Sequence, residues 1–221
     1  MKVYVVIPAF NEVKTIINIV KKTKKYYHVI VVDDGSTDKT GLLAKRAGAF
    51  LIKHEKNEGY GKSLVDGINE AKKRKADYII TLDADGQHNP NDIPKFIKAL
   101  ENGYDVVGSS RFLSGKSWGS WKRMFAIRLL TYQAYLFSGL KLTDIQSGFR
   151  GYNCKIFKKI KLEAKGMDFS VELLIKAKIL GYKFTEVPIE IKKPYNIKSF
   201  WIVFRQGIRV GLSIIKYGLF H

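Results

Sequence analysis

The sequence lacks the features of disulfide-stabilised and of membrane-spanning chains. It has one cysteine, Cys154, which cannot form a disulfide within the chain and suits a reducing compartment. The longest uncharged apolar candidate, 129–140, falls short of the about 18 residues that a membrane-spanning helix needs. The first residues read as a short strand running into a turn rather than as a signal peptide. These absences favour a cytoplasmic protein.

Acidic residues are also scarce. Lys and Arg number 39 and Asp and Glu number 20, which gives a net charge of +19. Such an excess favours polyanionic partners, namely nucleic acid, anionic lipid or phosphorylated substrates. A Lys-rich surface that only keeps the protein soluble is the alternative. With 46% hydrophobic and 27% charged residues the chain is not disordered, and 221 residues suit one large domain or two halves that share a sheet.

Strands and helices alternate through the first hundred residues. We predict strands at 3–7, 29–32, 50–53, 78–82 and 106–108, and helices at 12–25, 37–48, 60–75 and 91–102. We predict that Asn11 caps the first of these helices, and Thr37 or Asp38 the second. The second half is less regular, with helices at 118–139 and 169–180, an extended segment at 147–152 and a strand at 184–187.

This alternation predicts an α/β fold whose mostly parallel central sheet has helices on both faces. In such sheets, ligands bind beyond the carboxyl ends of the strands. The rule places four segments on one rim: 8–12, 33–36, 83–87 and 109–111.

The strongest motif on this rim is Asp83-Ala84-Asp85-Gly86-Gln87. Two carboxylates one residue apart follow a buried strand, and the small residues between them let a ligand approach the backbone. Two carboxylates and an amide oxygen suit Mg²⁺ or Mn²⁺, with diphosphate oxygens completing the coordination. A solvated Asp-rich turn is the alternative.

The other rim segments are weaker signals on their own. Asp33 and Asp34 end a strand, where carboxylates can accept hydrogen bonds from a base or a ribose. After Pro8, Phe10 could stack on a base and Glu12 could bind ribose, although a helix start explains that segment as well.

Two arginines and a glycine-rich segment complete the candidates. Arg111 could bridge to a diphosphate, but Arg111 and Arg150 are each as readily explained by a surface ion pair. The segment 59–63 lacks the glycine that a P-loop places five residues before Gly61. We expect its glycines to let the chain approach a nucleotide instead.

Taken in order, the segments resemble the family-two glycosyltransferases of the GT-A fold, and among them the polyprenyl-phosphate sugar synthases. The resemblance covers residues 5–190. The matching segments are VVIPAFNE, VVDDGSTD, NEGYGKSL, TLDADGQH, VGSSRF, DIQSGFRGY and FSVELLIKAKILGYKFTEVPIE. It implies one glycosyltransferase domain at 1–195, with a nucleotide-sugar half at 1–110 and an acceptor half at 111–195.

The resemblance also implies roles on the donor side. The nucleotide sugar, GDP-mannose or UDP-glucose, would be held by Pro8, Phe10, Glu12, Asp33, Asp34, Asp83, Ala84 and Arg111. The family's DxD site would be formed by Asp83 and Asp85, with Gln87 joining them at Mg²⁺ or Mn²⁺. The catalytic residues would be Asp83, Asp85 and Arg111.

On the acceptor side the resemblance implies a polyprenyl phosphate. Arg123, with Arg128 as its competitor, would bind the acceptor phosphate, and Arg150 would be a further phosphate-binding or structural arginine. Family members often carry an arginine after the last matching segment, where this chain has Lys192 and Lys193. An anionic acceptor would attack the anomeric carbon and invert its configuration without the help of a strong base. A glycan hydroxyl, the alternative acceptor, would need one, and Asp144 is then the candidate.

The C-terminal segment, 196–221, is predicted to be a basic amphipathic helix. Four basic residues lie within about 20° of one line along it: Lys198, Arg205, Arg209 and Lys216. Such a helix suits a lipid headgroup layer, which would make the protein peripheral to the inner face of the membrane. Packing against the domain with a charged outer stripe is the alternative, and a homodimer interface is another. A basic nucleic-acid-binding protein is a remote reading, because no nucleic-acid-binding module is recognisable.

Overall fold

One seven-stranded sheet organises the computed structural model, which describes residues 1–114, 121–163, 166–191 and 200–219, without the side chains of 122, 123, 200–204 and 206. The strand order is β3-β2-β1-β4-β6-β5-β7. The strands are β1 (Val3–Ala9), β2 (His28–Asp33), β3 (Phe50–Lys53), β4 (Tyr78–Thr81), β5 (Val106–Ser110), β6 (Arg150–Asn153) and β7 (Phe184–Pro188).

Every strand pair in the sheet is parallel except the two that involve β6. This strand lies between β4 and β5 and runs antiparallel to both. The predicted mostly parallel sheet is therefore confirmed, and the segment predicted as extended at 147–152 supplies the antiparallel strand. Strands β6 and β7 come from the second half of the chain, so both halves build one sheet.

Helices cover both faces of the sheet. They are α1 (Ile16–Lys24), α2 (Thr40–Arg46), α3 (Tyr60–Lys73), α4 (Ile93–Glu101), α5 (Trp121–Ser138), α6 (Phe169–Ile179) and α7 (Phe200–Leu219). Alternate strand residues point to opposite faces, so Val6 packs with α3 and α6 on one side and Val5 with α1 and α4 on the other. Two apolar cores result, and they fix the positions of the strand ends.

The predicted start of the first helix is wrong. Helix α1 begins at Ile16 with Thr15 at its N-cap, and Asn11 has a left-handed backbone with φ of 57°. The Asn11 side chain instead accepts a hydrogen bond from the Thr37 N–H at 2.9 Å. Strand β1 also continues through Pro8 to Ala9, because parallel pairing with β2 persists to Asp33. The loop after β1 is thus tied to the loop after β2.

Candidate active site

The loops that follow β1, β2 and β4 meet at one edge of the sheet, as the rim prediction requires. The Asp34 N–H donates to the Ala9 carbonyl at 2.9 Å, and the Thr15 hydroxyl donates to the Ala84 carbonyl at 2.6 Å. These loops carry the predicted donor-binding side chains. The fold therefore brings together at one rim residues that are far apart in the sequence.

A clamp of three residues fixes the carboxylate of Asp83. The Tyr60 hydroxyl donates to Asp83 Oδ1 at 2.9 Å, and His88 Nε2 lies 3.6 Å from Oδ2. Gly148 closes the third side, because a Cβ there would lie 2.5 Å from Asp83 Oδ2 and 2.6 Å from the Tyr60 hydroxyl. Only a residue without a side chain fits, so the Asp83 carboxylate has one defined orientation.

The clamp also sets the charge states of the Asp83 carboxylate and the Tyr60 hydroxyl. Burial alone would raise the pKa of Asp83, but the facing His88, the Tyr60 hydrogen bond and the Arg150 guanidinium hold that pKa below its usual value. Burial and then the Asp83 charge raise the pKa of Tyr60 well above its usual value. Asp83 is therefore an anion and Tyr60 a neutral donor at neutral pH.

Asp85 and Gln87 lie on a tight turn beside this clamp. Gly86 has φ of 77°, and the Gln87 N–H donates to Asp85 Oδ1 at 2.9 Å. Both side chains are half-buried at the rim. Within the described residues no group of three or more His, Cys, Asp or Glu side chains is placed to hold a metal. The oxygen ligands present nonetheless fit Mg²⁺ or Mn²⁺ if a bound diphosphate supplies the rest.

Asp33 and Asp34 differ in their surroundings. Asp33 is buried against α2, where a Cβ on Gly41 would overlap its carboxylate, and its Oδ1 accepts from the Ser36 N–H at 3.1 Å. Asp34 accepts from the Glu58 and Gly59 N–H groups at 2.8 and 2.9 Å. Asp33 thus supports its own turn, and Asp34 holds the loop that begins α3.

The remaining predicted nucleoside contacts lie at the same rim. Pro8 is buried within β1, whereas Phe10 is exposed beyond its end. The Glu12 carboxylate lies 3.1 Å from the Thr15 hydroxyl, and the Glu12 N–H donates to the Thr40 hydroxyl at 2.8 Å. Phe10 is therefore the ring available for stacking, and Glu12 is held beside the loop that contains Ala84.

Arg111 and Asp144 form a buried ion pair. Arg111 Nε donates to Asp144 Oδ2, and the Gln146 N–H donates to Asp144 Oδ1 at 3.1 Å. Asp144 is only 1% exposed. A general base must reach the proton that it removes, so this committed carboxylate does not suit the base that a hydroxyl acceptor would require.

Replacing Asp144 with Asn should destabilise the protein by about 3 kcal/mol, because the buried Arg111 charge loses its counter-ion. Urea unfolding measures the change. The control is Asp92→Asn, which removes an ion pair with the half-exposed Lys95 and should cost less than about 1 kcal/mol. Equal effects of the two substitutions would contradict the structural role of the Arg111–Asp144 pair.

The arginines predicted to bind the acceptor phosphate have different positions. Arg150 is 1% exposed and donates to the carbonyls of Ser170 and Ile145, so of its two predicted roles the structure favours the structural one. Arg128 is exposed on α5, with its guanidinium 5.1 Å from the ring centre of Phe112, next to Arg111. The side chain of Arg123 lies outside the described residues, as do Lys192, Lys193 and Lys198.

Sequence reasoning missed four residues of this site: Tyr60, His54, His88 and Gly148. Three of them lie inside segments that carry the family resemblance, NEGYGKSL, TLDADGQH and DIQSGFRGY, but Tyr60 and Gly148 meet Asp83 from distant parts of the chain. Tyr60 and Asp83, for example, are 23 residues apart. The local pattern Gly59-Tyr60-Gly61 indicates a close approach of the chain to a nucleotide, but it does not indicate a hydrogen bond from Tyr60 to Asp83.

Comparisons with known proteins agree with this geometry. The sequence model of the family described as "Glycosyl transferase family 2" matches residues 4–161. A UDP-N-acetylglucosamine–dolichyl-phosphate N-acetylglucosaminyltransferase of Methanococcus voltae is 33% identical over 213 residues, covering 85% of this chain and 84% of the relative. An undecaprenyl-phosphate mannosyltransferase of Micrococcus luteus is 30% identical over 202 residues, covering 86% and 83%.

A solved structure shows the same fold. Glucosyl-3-phosphoglycerate synthase of Mycobacterium tuberculosis, in complex with Mn²⁺, uridine diphosphate and glucosyl-3-phosphoglycerate, has a TM-score of 0.79 at 19% identity and covers 98% of this chain and 80% of its own. The predicted GT-A fold is confirmed. With the family match and the two relatives, the conclusion is that this chain is a glycosyltransferase and belongs to glycosyl transferase family 2.

Proposed function

We propose that this enzyme transfers a hexose from a metal-bound nucleoside diphosphate sugar to a polyprenyl phosphate at the inner face of the membrane. The observation that carries the proposal is that the carboxylate rim lies near the surface formed by α5 and α7, which is rich in apolar and basic side chains. The contact between Arg128 and Phe112 links α5 of that surface to the loop after β5. The names of the relatives from M. voltae and M. luteus support the choice of acceptor.

Charge and exposure support a membrane contact by α5 and α7. The sequence has no acidic residue at 106–143 or at 191–221, although it has 20 elsewhere. Helix α7 packs on α5 and α6 through Val210, Ile214 and Tyr217. Large apolar side chains remain exposed on the two helices: Trp121, Phe125, Leu129, Tyr132, Tyr135, Leu136, Ile208, Leu212 and Leu219. This combination suits an anionic lipid surface.

The structure bears on the two alternatives for the C-terminal helix. Helix α7 is packed on the domain, yet its outer face mixes Arg205, Arg209 and Lys216 with exposed apolar side chains. A packed helix can therefore still contact lipid. Among the described residues there is no helix of the length and apolarity that crossing a membrane requires.

The double substitution Arg205→Gln with Lys216→Gln should lower binding to vesicles that contain anionic lipid by about tenfold or more. Each basic residue near such a surface contributes about 1 kcal/mol. Vesicle co-sedimentation at low salt measures the effect. The matched control is Lys21→Gln with Lys22→Gln on α1, on the other face of the sheet. Equal loss from both double variants would contradict a membrane contact by α7, and a dimer that only the first pair dissociates would favour the homodimer interface.

The residues of the rim have different roles in the proposed reaction. Asp85 and Gln87 would hold Mg²⁺ or Mn²⁺ together with the donor diphosphate, and the cation would neutralise the leaving group. Asp83, fixed by Tyr60, orients the sugar, and Arg111 adds positive charge as the glycosidic bond breaks. The acceptor phosphate is already an anion at neutral pH, so it attacks the anomeric carbon, with inversion, without a general base.

The acceptor can be tested by competition. The enzyme is given one donor and equal amounts of a polyprenyl phosphate, the corresponding polyprenol and an oligosaccharide. We expect label on the lipid phosphate alone. Label on the oligosaccharide would favour the alternative, transfer to a glycan hydroxyl.

A further inference from the structure

A buried histidine side chain bridges the loop after β2 and helix α3 on the nucleoside side of the rim. His54 directly follows β3, and its side chain is 8% exposed. Its Nδ1 lies 2.8 Å from Asp34 Oδ1 and its Nε2 lies 3.0 Å from Asp66 Oδ2. Lys62, one turn earlier on α3, also donates to Asp66. The ring therefore joins the end of β2 to helix α3.

Each nitrogen of the ring faces a carboxylate. A carboxylate accepts hydrogen bonds, so this geometry offers an acceptor to both nitrogens of His54. Asp34 is committed as an acceptor, because the N–H groups of Glu58 and Gly59 also donate to it. The charged groups that face the ring are Asp34 from the loop after β2 and Asp66 with its partner Lys62 from α3.

The hydrogen bonds of His54 lie where two loops of the rim pack against each other. Gly35 lies so close to the next loop that a Cβ there would overlap the Lys56 carbonyl carbon. The loop after β2 and the loop that begins α3 are therefore packed back to back. His54 holds them at one spacing, and it fixes the Asp34 carboxylate between them.

We propose that His54 is a positioning residue for the donor nucleotide, and that its two charge-assisted hydrogen bonds fix Asp34 and the segment 57–59 in the geometry that receives the nucleoside. The inference rests on the proposed function, because it takes this part of the rim as the nucleoside site. An apolar side chain would fill the space between the loops without burying a charge. It would not orient a carboxylate, which is what directional recognition of a base or a ribose requires.

The test uses the full-length enzyme with His54→Gln, since glutamine can donate to only one of the two carboxylates. We expect the KM for the sugar nucleotide and the Kd for UDP or GDP to rise about tenfold or more, while kcat changes less than about twofold. The matched control is His28→Gln, at the opposite end of β2, where the ring stacks on Tyr4. This control should leave the KM unchanged.

A second variant separates positioning from simple stability. In Asp66→Asn a neutral His54 can still donate to Asp34 from Nδ1 and accept at Nε2 from the amide group that replaces the carboxylate, so only one of the two charge-assisted hydrogen bonds is lost and the donor KM should rise less than in His54→Gln. The nitrogen-15 NMR signals of His54 should show both ring nitrogens protonated in the wild-type protein. An unchanged donor KM in His54→Gln, or a singly protonated ring in the wild type, would overturn the proposal.

Failure of the proposed function would look different. In that case the wild-type protein would bind UDP and GDP as weakly as His54→Gln does, and both proposals would fall together. If the wild type binds the nucleotide well and His54→Gln binds it equally well, only the role of His54 is lost.

Discussion

Replacing Asp85 with Asn is expected to lower kcat for sugar transfer by about 10²- to 10³-fold while leaving the fold intact. The Asp85 carboxylate lies on the turn made by Gly86, at the rim beside Asp83. If it binds the cation that neutralises the leaving diphosphate, its loss removes several kcal/mol of transition-state stabilisation, and each 1.36 kcal/mol corresponds to about a factor of ten in rate.

The measurement is initial-rate transfer over a range of Mg²⁺ or Mn²⁺ concentrations. The metal concentration needed for half-maximal rate should also rise in Asp85→Asn. The control is Asp77→Asn, a well-exposed carboxylate that precedes β4 at the opposite edge of the sheet and accepts from the Lys2 N–H. A variant of Asp85 with normal rate and normal metal dependence would exclude this carboxylate from the metal site.

Gly148→Ala is expected to lower kcat by about 10²-fold. The added methyl group would lie 2.5 Å from Asp83 Oδ2 and 2.6 Å from the Tyr60 hydroxyl, so one of these groups must move. Displacing a catalytic group by about 1 Å costs about 10²-fold in rate. The substitution tests the clamp around Asp83 without changing any charge.

The matched control for this substitution is Gly207→Ala on α7, where a Cβ would meet no heavy atom of the described residues within 4 Å. This change should leave kcat unaltered and stabilise the helix by up to about 1 kcal/mol. Kinetics at saturating donor, together with thermal unfolding, separates the two effects. If Gly148→Ala keeps the wild-type kcat, the defined orientation of Asp83 is not required for transfer.

The fold could be predicted from the sequence except where it depends on long-range pairing. Apolar β-branched runs separated by amphipathic helices predict β1 to β5, and each observed strand lies within two residues of the prediction. The strand β6 has the sequence Arg-Gly-Tyr-Asn, which has no alternating pattern. Its antiparallel place between β4 and β5 results from packing with residues far away in the chain, which local periodicity does not encode.

The site was predictable in its carboxylates and not in its supporting residues. Strand ends and the carboxylate pair place Asp83, Asp85 and Asp34 on the rim because the topology of a parallel sheet leaves little choice. Arg150 shows where such reasoning stops. Its residue type suited a phosphate, but its position on β6 buries it under α6, where it donates to the Ser170 carbonyl.

The central claim is metal-dependent transfer to a lipid phosphate, and one measurement tests it directly. Labelled GDP-mannose, UDP-glucose and UDP-N-acetylglucosamine are incubated in parallel with the enzyme and polyprenyl phosphate in detergent, with Mg²⁺ or with EDTA. We predict that one donor gives label in the organic phase that requires metal and is released by mild acid. Metal-dependent binding of a donor with no label in the lipid, while an oligosaccharide acceptor becomes labelled, would contradict the claim.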